Sequence, residues 1–327
     1  MPRKDDSTLM YRIAKMYYLQ NIQQTDIAKA EGLSRSTVSR LLEKARKCGI
    51  VSIDVKLPKS GKSARAEKDL RRLLGLREVI VAPVSVAENG EQNEMQILRD
   101  VGSVAAEHMP RLLEKARYVG LGWGRSLYLT ASELSRVPGG TRKFFVPMVC
   151  NFSNNISYLQ TSSIVSMFCD RFGGEAYYLN IASPAHVQGQ RTDKEKEDIH
   201  QLCVYWNVLD AAVLSVASPN QLMTSPMYRE VWKDGIEPVE VGEKRAIFES
   251  MGQVFYADGS YYGVNRNFDM ISMDLQRLKE IETVICVAGG ASKVQALITA
   301  ALAGFYNVLI VDHLTAENML QTLRNRL

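Results

Sequence analysis

The 327-residue chain has little of what builds metal centres and cross-links: five cysteines and four histidines. Cys48, Cys150, Cys169, Cys203 and Cys286 are scattered, no C-x-x-C pair occurs, and no Cys/His cluster appears. That excludes the common zinc and redox motifs and leaves free structural thiols as the expectation. No metal and no cofactor is expected. Apolar runs stop short of the roughly 18–20 residues that cross a bilayer, so no membrane segment is expected. The leading MPRKDDSTLM is charged and lacks a signal-peptide apolar core, which points to a cytoplasmic protein. Repeats and low-complexity tracts are missing. A Walker loop, G-x-x-x-x-G-K-[ST], and a G-x-G-x-x-G opening are missing too, which removes two familiar nucleotide cradles.

What is present is unevenly charged. Residues 1–72 hold 17 Lys+Arg and 8 Asp+Glu, a net of +9, and the remainder holds 23 and 28, a net of −5; the two sum to the chain's +4. A small basic module on an acidic body is the electrostatic footprint of phosphate-backbone binding.

Within the basic part, residues 25–47 read TDIAKAEGLSRSTVSRLLEKARK. Thr25 is placed to cap a first helix, Gly32 to supply a left-handed turn, and Ser34 to cap a second helix running to about Cys48. Val38, Leu41, Leu42 and Ala45 give that second helix an apolar stripe at 3- and 4-residue spacing. Arg35, Ser36, Thr37, Ser39 and Arg40 fall on or near its other face, at the end that a recognition helix sets against base edges. With Gln24, Thr25, Ser34 and Lys44 they form the candidate DNA-binding set. A preceding helix through Leu9, Ile13, Ala14, Tyr17 and Tyr18 covers the pair, and the alternating IVSIDVKL after Gly49 suits a wing. A solvated surface helix pair is the bland alternative.

The length suggests two domains. Pro58–Lys62 is the expected boundary, with a DNA-binding domain at 1–58 and a second domain at 59–327. After a helix at about 64–74, strand-like runs (REVIVAPV, ARYVGLGW, KFFVPMVC, AYYLNIA, DAAVLSVAS, ETVICVAGG, NVLIVD) alternate with helical ones. This predicts an α/β fold with a doubly wound, largely parallel, Rossmann-like sheet. Two strand-to-helix loops there carry glycine with charge: Gly124-Arg125-Ser126, and Gly289-Gly290 followed by Lys293. Each offers helix-start N–H donors and a cation to an anion at the carboxyl edge of the sheet.

Over nearly its whole length the chain resembles the SorC/DeoR-type bacterial transcriptional regulators. QTDIAKAEGLSRSTVSRLLEKAR, GLGWGRSL, DAAVLSVASP, MGQVFYADGS and the tail VAGGASKVQALITAALAGFYNVLIVDHLTAENML carry the resemblance. It implies a winged helix-turn-helix and an effector domain related to sugar-phosphate isomerases and deaminases, used as a sensor. It implies operator DNA as partner, a sugar, sugar phosphate or polyol as effector, and a homo-oligomer, either a tetramer or a dimer of dimers. By position, Gly122, Gly124, Arg125 and Ser126 would hold a phosphate or an equivalent hydroxyl, and Lys293 would reach the same ligand. Asn151 and Ser153 would line the pocket, and Gln253 would bind hydroxyls where relatives carry Asp. Some relatives place a Schiff-base lysine nearby, but Lys143 stands at the opposite end of its strand, so covalent capture is not expected. Asp312 and Glu317 follow the last strand with no evident partner. An isomerase- or deaminase-like enzyme with an accessory DNA-binding module is the alternative, disfavoured because no acid/base constellation accompanies the isolated histidines.

Overall fold

The computed structural model describes residues 4–51, 61–84, 93–137, 142–152, 160–179, 181–183, 191–219, 221, 246–256, 260–263 and 271–325. The chain divides into two compact units, Met1–Leu57 and Pro58–Leu327.

The described part of the first unit is helical. Helix α1 (Lys4–Ala14) runs directly into a π turn (Lys15–Leu19), followed by α2 (Gln24–Ala30) and α3 (Arg35–Lys47). Met10, Ile13, Ala14, Ile27, Ala28, Val38, Leu42 and Ala45 make its core. Gly32 takes φ +63° between α2 and α3, a conformation side chains with a Cβ resist. Arg12 Nε donates to Glu31 at 2.7 Å, tying α1 to the carboxyl end of α2. Arg46 Nε donates to the Tyr18 hydroxyl at 2.8 Å, tying α3 to the π turn. The wing expectation falls on residues 50–57, of which 52–57 lie outside the described residues.

The second unit opens with α4 (Gly61–Leu74), three residues longer at its start than the sequence suggests. Its main sheet comprises β1 (Glu78–Ala82), β2 (Tyr118–Leu121), β3 (Phe144–Pro147), β5 (Glu175–Ala176), β7 (Ala211–Leu214), β11 (Thr283–Val287) and β12 (Val308–Asp312). The order is β1-β12-β11-β7-β2-β3-β5, and every neighbouring pair is parallel. Buried residues run unbroken along β7, β11 and β12, as strands covered on both faces require. Helices α5 (Glu94–Leu112), α6 (Arg125–Glu133), α7 (Thr161–Phe172), α8 (Asp193–Trp206), α9 (Val294–Leu302) and α10 (His313–Arg324) accompany the sheet. The chain moves through β2, β3 and β5 toward one edge, then through β7, β11 and β12 toward the other. The directions part between β2 and β7, which makes their carboxyl ends the switch-point crevice of the sheet.

Three features depart from expectation. The run AYYLNIA is not one strand: β5 ends at Ala176, and β6 (Ala182–Ser183) pairs instead with β4 (Asn151–Phe152). Helix α8 follows a capping box in which Thr192 and Glu195 satisfy each other's backbone N–H groups. Strands β8 (Ala246–Ser250), β9 (Gln253–Tyr256) and β10 (Tyr261–Gly263) form a separate antiparallel sheet.

Lys143 precedes β3, away from the carboxyl edge, as expected. Its ammonium donates to the carbonyls of Leu113 at 2.5 Å and Ala116 at 2.9 Å, so it caps the carboxyl end of α5. Burial lowers its pKa.

Candidate functional site

The first candidate surface is the amino-terminal half of α3. Ser34 caps the helix, its hydroxyl accepting the Thr37 N–H at 3.1 Å. The same oxygen lies 2.8 Å from both the Ser36 and Thr37 hydroxyls, so the start of α3 is a compact polar cluster. Arg35, Ser36, Ser39, Arg40 and Lys44 are exposed, while Val38, Leu42 and Ala45 face the core. Thr25 is not a cap. Helix α2 begins at Gln24, and its N-cap, Gln23, makes no side-chain bond to the helix start. Thr25 therefore sits in the first turn with an exposed side chain, and Gln24 is half-buried beside it. The spacing misled by one turn position, because Thr and Gln both tolerate the first helical turn.

The second candidate surface is the carboxyl edge of the main sheet. Two loops of like plan leave it. After β2, the Gly122 N–H donates to Val213 at 2.9 Å, stitching the loop to β7. Gly124, at φ +118°, is the N-cap of α6 and brings no side-chain bond to the helix start. Ser126 is buried, and its hydroxyl has no hydrogen-bond partner among the described residues. Arg125, beside it, is exposed.

After β11, Gly289 and Gly290 lead into a 3-10 turn (Ala291–Lys293) and then α9. Here the loop is braced. The Gly290 N–H donates to Asp312 Oδ2 at 3.0 Å and to Thr315 Oγ1 at 2.9 Å. Asp312 also caps α10, its Oδ1 accepting the Thr315 N–H at 2.8 Å. Asp312 is thus engaged as a helix cap and a loop brace, and neither bond supplies an acid/base partner. A strand-end aspartate with threonine three residues on is an N-cap signature, and that signal was available. The same brace means that the Gly290 amide is already engaged and is not a free anion donor.

Lys293 is buried at 6% exposure, and no ion pair or hydrogen bond joins its ammonium to another of the described residues. Burial lowers its pKa to about 8, the nearby positive Arg125 pushes the same way, and Cys286, Glu94 and Glu249 oppose. Below about pH 8 the amine is mostly protonated, so it presents a buried positive charge to an arriving anion. Its neighbour Cys286 is a buried thiol pushed up to about 12, chiefly by burial, and is inert as a nucleophile.

The remaining predicted positions are more committed to the fold. Asn151, half-buried, accepts the Ser162 N–H at 2.9 Å through Oδ1 and so anchors the start of α7. Gln253 is buried with both ends of its amide engaged. Its Nε2 donates to the Met273 carbonyl at 2.8 Å and to the Ser272 hydroxyl at 3.2 Å, and its Oε1 accepts the Leu275 N–H at 3.1 Å. It stitches β9 to the segment before β11. Ser153 lies outside the described residues. Glu249 on β8 was not anticipated. It accepts the Gly252 N–H at 2.6 Å, and its backbone pairs with Ala217 beyond β7, which brings the β8–β9 hairpin to the switch-point crevice. Among the described residues, no group of three or more His, Cys, Asp or Glu is arranged to hold a metal ion. No described helix is long and apolar enough to cross a membrane.

Comparison with known proteins bears on both surfaces. A family model described as "Putative sugar-binding domain" matches residues 59–321. The chain is 24% identical to the sorbitol operon regulator of Klebsiella pneumoniae over 325 residues, covering 98% of this chain and all of that one. It is 26% identical to the transcriptional regulator LsrR of Escherichia coli strain K12 over 319 residues, covering 95% of this chain and 94% of the relative. In fold it is similar to the crystal structure of the full-length sorbitol operon regulator of K. pneumoniae. There the TM-score is 0.68 at 22% identity, covering 97% of this chain and 100% of that one. A DeoR family transcriptional regulator from Listeria monocytogenes shares the fold over 79% of this chain and 99% of its own, with TM-score 0.63 at 20% identity.

Proposed function

We infer the function from one premise: the chain belongs to the SorC/DeoR-type family of sugar-binding transcriptional regulators. It is a transcriptional regulator of a carbohydrate-metabolism operon, controlled by a small molecule bound in the second unit. The effector is a sugar, sugar phosphate or polyol. The observation that carries this reading is Lys293, buried at the carboxyl edge of the sheet with no ion pair or hydrogen bond among the described residues and within electrostatic reach of Arg125, whose neighbour Ser126 buries a hydroxyl with no partner among those residues. Two cationic groups and a hydroxyl at a glycine-lined helix start form a receptor for an anionic or polyhydroxylated ligand.

On this reading α3 enters the major groove of operator DNA. Arg35 and Arg40 read base edges, Ser36, Thr37 and Ser39 serve bases or phosphates, and Gln24, Thr25, Ser34 and Lys44 hold the backbone. The chain works in the cytoplasm as a homo-oligomer, a tetramer or dimer of dimers, on paired half-sites. Control is linkage: the effector binds one quaternary arrangement better than another and so shifts the population that fits the operator.

The test separates the two surfaces. Operator fragments selected from random duplexes supply the DNA, and a thermal-shift panel of sugars, polyols and their phosphates supplies the ligand. Arg35→Ala or Arg40→Ala is expected to weaken operator binding at least tenfold, about 1.4 kcal/mol or more, with the ligand shift unchanged. Lys293→Ala is expected to remove most of the ligand shift while unliganded operator binding persists. A ligand response untouched by Lys293→Ala would overturn the site assignment.

A further inference from the structure

The boundary of positive charge and the boundary between the folded units do not coincide. Of the 17 Lys+Arg and 8 Asp+Glu in residues 1–72, the first unit, 1–57, holds 11 and 6. That leaves 6 and 2 for residues 58–72, a net of +4 against +5 for the whole first unit. Most of this second share lies on α4, the helix that opens the effector unit, 14 positions after the last residue of α3.

Helix α4 sorts its residues by face. Ser63, Ala66, Leu70 and Leu74 are buried. Lys62, Arg65, Lys68 and Arg72, spaced three, three and four residues apart, form one exposed strip that Arg71 flanks; Lys62 and Arg65 also border the groove against α10, which Asp69 and Glu317 line too. The two acidic residues of the helix are engaged elsewhere. Glu67 accepts the Val81 N–H at 2.9 Å, and Asp69 pairs with Arg324 of α10 at 3.7 Å. None of the five exposed cations forms an ion pair with another of the described residues.

A strip like this is electrostatically unfavourable by itself. Neighbouring like charges at three- and four-residue spacing repel along a helix. Lys62 in the first turn also faces the positive end of the helix dipole. A polyanion relieves each of these repulsions at once, and a rigid helix holds its cations at fixed spacing to meet one.

We propose that the exposed strip of α4, Lys62, Arg65, Lys68 and Arg72, is a second contact surface for duplex DNA, taking the phosphate backbone without reading sequence. The proposal rests on the reading that α3 binds DNA. It adds that the effector unit itself holds DNA, so an effector-driven change in that unit acts on two contacts.

The experiment uses the full chain and a 40-base-pair random-sequence duplex, with binding followed by fluorescence anisotropy across a salt series. In K62Q/R65Q/K68Q/R72Q the slope of log affinity against log salt is expected to flatten by about 3–4, roughly 0.9 per lost phosphate contact, with a fall in affinity of at least about tenfold. A control removing the same charge from exposed sites elsewhere, R99Q/K115Q/R136Q/K194Q, is expected to change the slope by less than about 1. The charge-keeping K62R/R65K/K68R/R72K is expected to retain the wild-type slope. A K62Q/R65Q/K68Q/R72Q variant matching the control overturns this proposal and leaves the regulator reading standing. A wild-type chain that binds no duplex at any salt overturns both.

Discussion

The loop after β2 and the loop after β11 leave the same edge of one sheet, and each passes through glycine into a helix. On the proposed reading they would divide the work of a receptor differently. The first is less braced: α6 has no side-chain cap, the Ser126 hydroxyl has no partner among the described residues, and Arg125 is exposed. The second is tied down: Gly290 is held by Asp312 and Thr315, and the cation it carries is buried. A receptor for an anion needs both kinds of part. Open donors adapt to the ligand, and a braced charge fixes where it sits.

Substituting the glycines is expected to break the comparison most severely. A Cβ on Gly289 would lie 2.8 Å from Asp312 Oδ2 and 3.1 Å from methyl carbons of Ile97 and Val101. Gly289→Ala is therefore expected to destabilise the chain by about 2–3 kcal/mol in urea unfolding, as overpacking does. Gly124 has space, its nearest neighbour being Ser215 Cβ at 3.9 Å, so Gly124→Ala strains only the backbone and should cost about 1–2 kcal/mol. A smaller loss at Gly289 than at Gly124 would mean that the second loop is no more tightly held than the first.

Lys293 gives the comparison a pH signature. Its folded pKa is lowered to about 8 from 10.5, so below pH 8 the folded state carries a buried charge that the unfolded state solvates. That penalty, at most about 3 kcal/mol, declines as pH rises through 8 toward 10.5, because the unfolded chain then binds more protons than the folded one. Lys293→Met is expected to be more stable than wild type by about 1–3 kcal/mol at pH 7. Its advantage should shrink by about 1 kcal/mol between pH 8 and 9. The Cys286 thiol, pushed up to about 12 from 9, opposes this above pH 9, so the difference between the two proteins is the quantity to follow. An advantage independent of pH would show Lys293 to be solvated and the second loop open.

How far these loops could be read from sequence depended on the range of the interactions involved. Helix α3 and its Ser34 cap were legible because capping and apolar spacing act within a turn or two. The central strands were legible because burial on both faces leaves unbroken apolar runs, as in Val284–Val287 and Val308–Val311. The brace was not: Gly290 meets Asp312 across 22 residues and Thr315 across 25. Gln253 was read as a ligand residue because its commitments to Met273 and Leu275, 20 and 22 residues on, are invisible locally. Glu249 joined the site only through a hairpin whose pairing the alternation of AIFES and QVFY does not announce. Local rules placed the glycine loops; tertiary contacts decided which of them is braced.

The finest test sets Ser126 against Ser34, two serines at helix starts with opposite commitments. The Ser34 oxygen accepts the Thr37 N–H, and losing it by Ser34→Ala should cost about 1 kcal/mol. The Ser126 oxygen is buried and has no hydrogen-bond partner among the described residues. A buried hydroxyl without a partner is a desolvation cost, so Ser126→Ala should leave unliganded stability unchanged or raise it by up to about 1 kcal/mol. The sign should reverse with effector present: the sugar or sugar phosphate that raises the wild-type melting temperature should raise that of Ser126→Ala less. A loss without ligand as large as that at Ser34 would make Ser126 an ordinary cap. The first loop would then have no hydroxyl to offer a ligand, and Lys293 and Arg125 alone would define the receptor.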